Sequence, residues 1–169
     1  MRMSDTVEWA AHCCTVLGAL PHDHALPAAR LAEFHDVPPA YLAKALQALT
    51  AAGITESRPG PLGGYRLARP PAEVTLLEIV LAVDGAATAF RCREIRQRGP
   101  VAADSPRAYR QPCGIARAMW RAEDAWRAEL AATTVGDLIT ELIATVPAAQ
   151  LLRGAEWIKQ VEITRRSRA

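Results

Sequence analysis

The stretch that most restricts the fold is Pro59-Gly60-Pro61-Leu62-Gly63-Gly64, set between two short strand-like runs, Ile54–Arg58 and Tyr65–Ala68. Proline fixes φ and glycine supplies backbone conformations that other residues avoid, so this segment turns and its flanks pair as a β-hairpin. What precedes it is helical. Asp5 followed by Glu8 has capping-box spacing and starts a first helix that runs to about Leu20, where Pro21 and His22-Asp23-His24 break it. A second helix runs from near Pro27 to about Phe34, and the turn His35-Asp36-Val37 leads to a third opened by Pro38-Pro39. Leu42, Leu46 and Leu49 give that helix one apolar stripe, and Gly53 supplies its left-handed end. Three helices followed by a hairpin predict a winged helix-turn-helix.

Beyond the hairpin, Thr75 and Glu78 form a second capping box, opening a helix that stops at Asp84-Gly85. Residues 86–113 show no clean period, contain Gly99, Pro100, Pro106 and Pro112, and begin and end near cysteines. An irregular stretch of that length usually has a job. From Ile115 to Leu130 the helical spacing returns, through Ile115, Met119, Ala122, Trp126 and Leu130. With Trp120 and Trp126 on one helix, there is more apolar surface than a small domain covers, which predicts pairing with a second copy. Thr134 to Val146 reads as a short capped helix, and residues 148–169 as helical early and frayed later. The expected class is mainly α with a small β-hairpin (α+β): a winged helix-turn-helix with a long dimerisation helix. The expected units are a DNA-binding domain over 1–85, a cysteine-bearing loop over 86–113, dimerisation helices over 114–146 and a C-terminal extension over 147–169.

Net charge is +2, and residues 1–70 hold six Lys/Arg against six acids. Affinity for nucleic acid must therefore come from where the cations sit. No apolar run approaches the ~20 residues of a membrane helix. The early residues lack a secretory pattern, and four scattered cysteines do not make an extracellular disulfide framework. These features predict a cytoplasmic chain without a membrane partner. No nucleotide loop, nucleophile–base pair or substrate-pocket motif favours an enzyme.

Several blocks carry a resemblance: Leu31-Ala32-Glu33, Tyr41-Leu42-Ala43-Lys44, Ala52-Gly53-Ile54, Ser57-Arg58-Pro59-Gly60, Gly63-Gly64-Tyr65-Arg66-Leu67-Ala68-Arg69-Pro70 and Thr75-Leu76-Leu77-Glu78-Ile79-Val80. Over roughly residues 6–146 the chain resembles the Rrf family of winged-helix transcriptional regulators (IscR/NsrR type). Glu8–Cys14, Glu94–Pro100 and Ile115–Met119 are most similar to its [2Fe–2S] redox regulators of the RsrR type. The resemblance implies a homodimer formed through the long helix after the cysteine loop, bound to double-stranded operator DNA.

In such a helix-turn-helix, the third-helix residues Tyr41, Lys44 and Gln47 face the major groove. Tyr41 and Lys44 suit phosphate, and Lys44 or Gln47 suit base edges. Arg58 and Arg66 flank the glycine-rich wing tip and suit a narrow minor groove. Each is equally a solvated surface residue when taken alone, Gln47 and Arg69 most simply so. The third helix opens with Pro38, Pro39 and Ala40 where the family has polar serines, which leaves fewer base-reading groups.

The family's cluster-binding members place three cysteines in the loop; here there are Cys92 and Cys113. The resemblance implies that Glu8 and His12 of one subunit complete a [2Fe–2S] cluster with Cys92 and Cys113 of the other. Trp9 lies beside both expected ligands and is the candidate redox relay, changing its packing on reduction. Glu8 and His12 are one helical turn apart and share a face. Imidazole in place of thiolate raises a cluster's potential, and carboxylate is a rarer ligand. Alternatives remain at this point: an exposed Glu8–His12 pair with no metal, a cluster-free repressor with a reversible Cys92–Cys113 disulfide, and, from another class, an iron–sulfur carrier or metalloenzyme that uses the winged helix only for protein contacts. Cys13 and Cys14 read as small core residues, His35 as a turn residue near the sensing region, and His22 and His24 as facing water.

Overall fold

The computed structural model describes residues 3–21, 24–60 and 62–166. Seven helices carry the described chain: α1 (Asp5–Gly18), α2 (Ala28–His35), α3 (Pro39–Ala51), α4 (Leu76–Asp84), α5 (Gly114–Ala132), α6 (Val135–Thr145) and α7 (Ala148–Arg166). Between α3 and α4 lies the antiparallel hairpin β1 (Thr55–Arg58) and β2 (Gly64–Leu67), with Thr55 opposite Leu67 and Arg58 opposite Gly64. The mainly helical class with a small hairpin is thus observed. His22 and residues 167–169 lie outside the described residues.

The core forms where α1 packs on α3, α4 and α6, and where α2 packs on α3. Leu42, Leu46 and Leu49 are fully buried there with Leu31 and Ile79, as the leucine spacing requires. Burying each such side chain contributes about 1.5–3 kcal/mol. Leu46→Ala is accordingly expected to destabilise the domain by about 2–5 kcal/mol, read as a lower urea midpoint. Cys13 and Cys14 are buried in the same cluster; burial pushes the Cys13 thiol up to about 12 and Cys14 higher still. Both are packing residues without thiolate chemistry.

The first helix is capped differently from the sequence expectation. Ser4, not Asp5, takes the cap position, and its side chain makes no cap bond. Instead the Ser4 N–H and hydroxyl donate to the Asp84 carboxylate at 3.0 and 2.6 Å, tying the start of α1 to the end of α4. The local alternative yields because a group eighty residues away satisfies the same polar atoms. Thr75 and Glu78 do form the expected capping box on α4, as do Thr134 and Asp137 on α6.

Two later elements also pack on the first half of the chain. Thr75 bridges Thr134, Val135 donates to the Val74 carbonyl at 2.8 Å, and Val135 is fully buried. The final helix is longer than its sequence suggests, and it is held from the side. Val161 is buried against the core, and Trp157 meets the Phe34 ring edge-on at 5.2 Å. By contrast, α5 keeps a large apolar face in solvent: Ile115 is 70% exposed, with Met119 and Trp120 beside it. No helix among the described residues is long and apolar enough to cross a membrane.

Candidate DNA-reading face and sensing residues

Tyr41, Lys44 and Gln47 all stand exposed on α3, on the side away from its buried leucines. Lys44 Nζ lies 5.9 Å from the centre of the Tyr41 ring, so the two present one continuous cationic and aromatic surface. In the wing the two arginines differ. Arg66 donates through Nε to Glu56 at 2.5 Å and its side chain is only 14% exposed, whereas Arg58 lies 3.5 Å from the same carboxylate and is 43% exposed. The Arg66 hydrogen bond holds the Glu56 carboxyl below the usual range, with Arg58 adding to the effect. Arg66 thus braces the hairpin, and Arg58 presents its charge outward. Arg69 is engaged at the wing base, donating to Glu78 at 2.8 Å and to the Glu73 carbonyl at 3.0 Å.

The wing is seated by backbone contact. Tyr65 and Leu26 exchange hydrogen bonds of 2.8 and 3.0 Å, and Gly64 lies so close that a Cβ there would stand 2.4 Å from the Leu26 carbonyl carbon. His24, expected to face water, is half-buried and lines a cavity with Leu17, Arg66 and Leu67 under this hairpin.

Glu8 and His12 share the outer face of α1, as their spacing requires. With half-buried Trp9, His35 and Val37 they line a cavity of about 230 Å³. The His12 and His35 rings are 5.6 Å apart, and His35 Nε2 is buried without a hydrogen-bond partner among the described residues. Burial, and then the neighbouring His12, holds His35 below its ordinary pKa, which favours the neutral ring. His35 therefore does more than end a helix: the left-handed turn at Asp36 (φ 51) brings it against α1. Sequence alone marks it as a turn residue near the expected cluster region, without its contact with His12.

Cys92 and Cys113 are both free and half-buried at the two ends of the irregular loop. Each sulfur accepts a backbone N–H: Cys92 from Glu94 at 3.4 Å, and Cys113, the cap of α5, from Ala116 at 3.3 Å. Cys92 lines a cavity of about 430 Å³ with Phe90, Tyr109 and Trp120, separate from the one holding Glu8 and His12. Within one chain Glu8 and His12 thus line a different cavity from Cys92. Among the described residues, no group of three or more His, Cys, Asp or Glu side chains comes together to hold a metal. The donor chemistry nevertheless fits an iron–sulfur group, because thiolates that ligate iron are ordinarily hydrogen-bonded by backbone amides, as both sulfurs are here.

Glu123 was not legible as a functional residue. It is buried at 7% exposure, accepts the Ala89 N–H at 3.1 Å and is gripped by Arg127 at 2.8 Å, fixing the start of the cysteine loop to α5. Its i,i+4 spacing from Arg127 reads equally well as a surface pair.

A helical trio, an exposed third-helix face and a glycine-tipped wing define a winged-helix protein of the DNA-reading class. The chain belongs to the Rrf2 family, whose model, described as an iron-dependent transcriptional regulator, matches residues 3–141. It is 30% identical over 139 residues to the HTH-type regulator Rv1287 of Mycobacterium tuberculosis, covering 82% of this chain and 81% of that protein. It is 32% identical over 97 residues to the HTH-type regulator YwgB of Bacillus subtilis, covering 57% of this chain but 62% of YwgB. The chain thus spans about six-tenths of that relative's length. Among solved structures, CymR, the global cysteine regulator of B. subtilis, superposes with a TM-score of 0.63 at 22% identity, over 83% of this chain and 98% of CymR. IscR of T. potens superposes at 0.64 with 16% identity, over 90% and 96%.

Proposed function

We propose that this chain works as a homodimeric operator-binding regulator whose DNA affinity follows the redox state of a [2Fe–2S] cluster held between subunits. The observation that carries this reading is the division of donors into two half-sites. Glu8 and His12 face outward from α1, and Cys92 and Cys113 sit half-buried on the loop that leads into α5. The exposed face of Ile115, Met119 and Trp120 gives a second copy an apolar surface to cover. Pairing there supplies each half-site with a complement. Glu8, His12, Cys92 and Cys113 would hold the group, which supplies one-electron redox chemistry when bound. Trp9 lines the same cavity as Glu8 and His12 and packs on the core, so a change in its packing reaches the helices that carry Tyr41, Lys44 and Gln47.

Anaerobically purified protein is expected to be red-brown, to contain iron and sulfide in equal amounts, and to bleach with dithionite. Its affinity for the DNA upstream of its own gene should differ between the two redox states. Colourless protein under full iron supply removes the cluster. Arg58→Ala is expected to weaken operator binding and to flatten its log–log salt dependence by about 0.9, the slope that neutralising one phosphate contributes. An unchanged slope removes the wing from DNA recognition.

A second reading is favoured by the two free, half-buried thiols in one loop and by the likeness to CymR, one of whose solved forms, from Staphylococcus aureus, is described as oxidised. In it Cys92 and Cys113 close a disulfide, giving two protons and two electrons to a disulfide or peroxide oxidant. A mass loss of two hydrogens from cluster-free protein under mild oxidation would identify that switch.

A further inference from the structure

One side chain joins the two ends of the cysteine loop. Arg96 donates through Nε and Nη2 to the two carboxylate oxygens of Glu94 at 2.5 and 2.8 Å, and through Nη2 to the Gln111 carbonyl at 2.9 Å. Its guanidinium lies 5.5 Å from the centre of the Tyr109 ring. The Tyr109 hydroxyl in turn donates to the Arg96 carbonyl at 2.9 Å and accepts the Ala103 N–H at 2.5 Å. The segment just after Cys92 is thereby fastened to the segment just before Cys113. Bidentate pairing to a carboxylate and stacking on an aromatic ring are arginine's particular uses, and lysine does not reproduce the pair.

The clamp reaches the sulfurs directly. Glu94 adopts a left-handed backbone (φ 45), a conformation that non-glycine residues seldom take. In that conformation its N–H points at the Cys92 sulfur, 3.4 Å away. Arg96 is held on one side by Glu94, whose N–H bonds the Cys92 sulfur, and on the other by Gln111, two residues before Cys113, so one guanidinium stands between the two cysteine-bearing ends.

We propose that Arg96 is the positioning residue of the cysteine loop, pinning its two cysteine-bearing ends in one geometry and setting a single positive charge against both sulfurs. The inference rests on the reading that Cys92 and Cys113 do the sensing. A cation beside an anionic cluster favours the more negative, reduced state, and therefore raises its potential.

The test compares wild type with R96Q and R96K. In cluster-free protein, amide exchange at Glu94 and Ala103 is expected to speed up at least tenfold in both variants, with the melting of the helical core unchanged. After loading with ferrous iron and sulfide, the midpoint potential should fall in R96Q and stay near wild type in R96K, which keeps the charge without the fork. Unchanged exchange overturns the clamp, and equal shifts in R96Q and R96K overturn the electrostatic role. Failure of wild type to take up iron and sulfide would instead refute the cluster reading, while the exchange experiment still decides the clamp.

Discussion

Replacing Gly64 by alanine is expected to unseat the wing and to weaken operator binding at least tenfold. Gly64 has φ +143, and an alanine Cβ there would lie 2.4–2.5 Å from the backbone carbonyl of Leu26. Backbone cannot rotate away as a side chain can, so the hairpin must lift. Lifting breaks the exchanged hydrogen bonds between Leu26 and Tyr65. Each is worth about 1 kcal/mol, and forced backbone strain adds about 1–3 kcal/mol, giving a destabilisation of roughly 3–5 kcal/mol in urea unfolding. Gly60→Ala is the matched control: it also has positive φ (+99), but among the described residues nothing lies within 4 Å of its Cβ position. Its cost should stay near ~1 kcal/mol, with the wing in place. Equal effects of the two substitutions would mean that the glycines matter only for turning the chain, not for close approach to Leu26.

Subunit mixing is expected to give the other large effect. His12→Ala and Cys92→Ala homodimers should each hold no cluster, since every intersubunit site then lacks one ligand. In a dimer of one His12→Ala chain with one Cys92→Ala chain, one of the two sites regains a full ligand set. Random exchange of equal amounts makes half the dimers mixed, so about a quarter of the wild-type cluster content should return, as an isologous two-fold pairing requires. No recovery after confirmed exchange would place all ligands in one chain, against the separation of Glu8 and His12 from Cys92 into different cavities.

The contrast between the wing and the cysteine loop also shows which parts of this molecule can be read without its structure. The leucine stripe of α3, the Thr75–Glu78 and Thr134–Asp137 capping boxes and the turn between Arg58 and Gly64 are all local. Each is decided by residues within a few positions, through backbone hydrogen bonding, helical periodicity and allowed φ. The same holds for Glu8 and His12 sharing a face, and for Cys92 and Cys113 bracketing an irregular loop. Local pattern fails wherever a distant group satisfies an atom that a neighbour could also have satisfied. Ser4 turns to Asp84, and Arg66 turns to Glu56 across the hairpin. His35 is brought to His12 by the turn at Asp36.

Sequence by itself determined the order of elements, the buried stripe and the kinds of donor side chain on α1 and the cysteine loop, because each depends on short stretches of chain obeying their own geometry. Tertiary packing alone decided that His35 Nε2 stands unpartnered beside His12, that α7 lies against Phe34 through Trp157, and that Arg96 fastens the cysteine loop. Such meetings join residues far apart along the chain. They are set by how the whole core fills space, which no local pattern encodes.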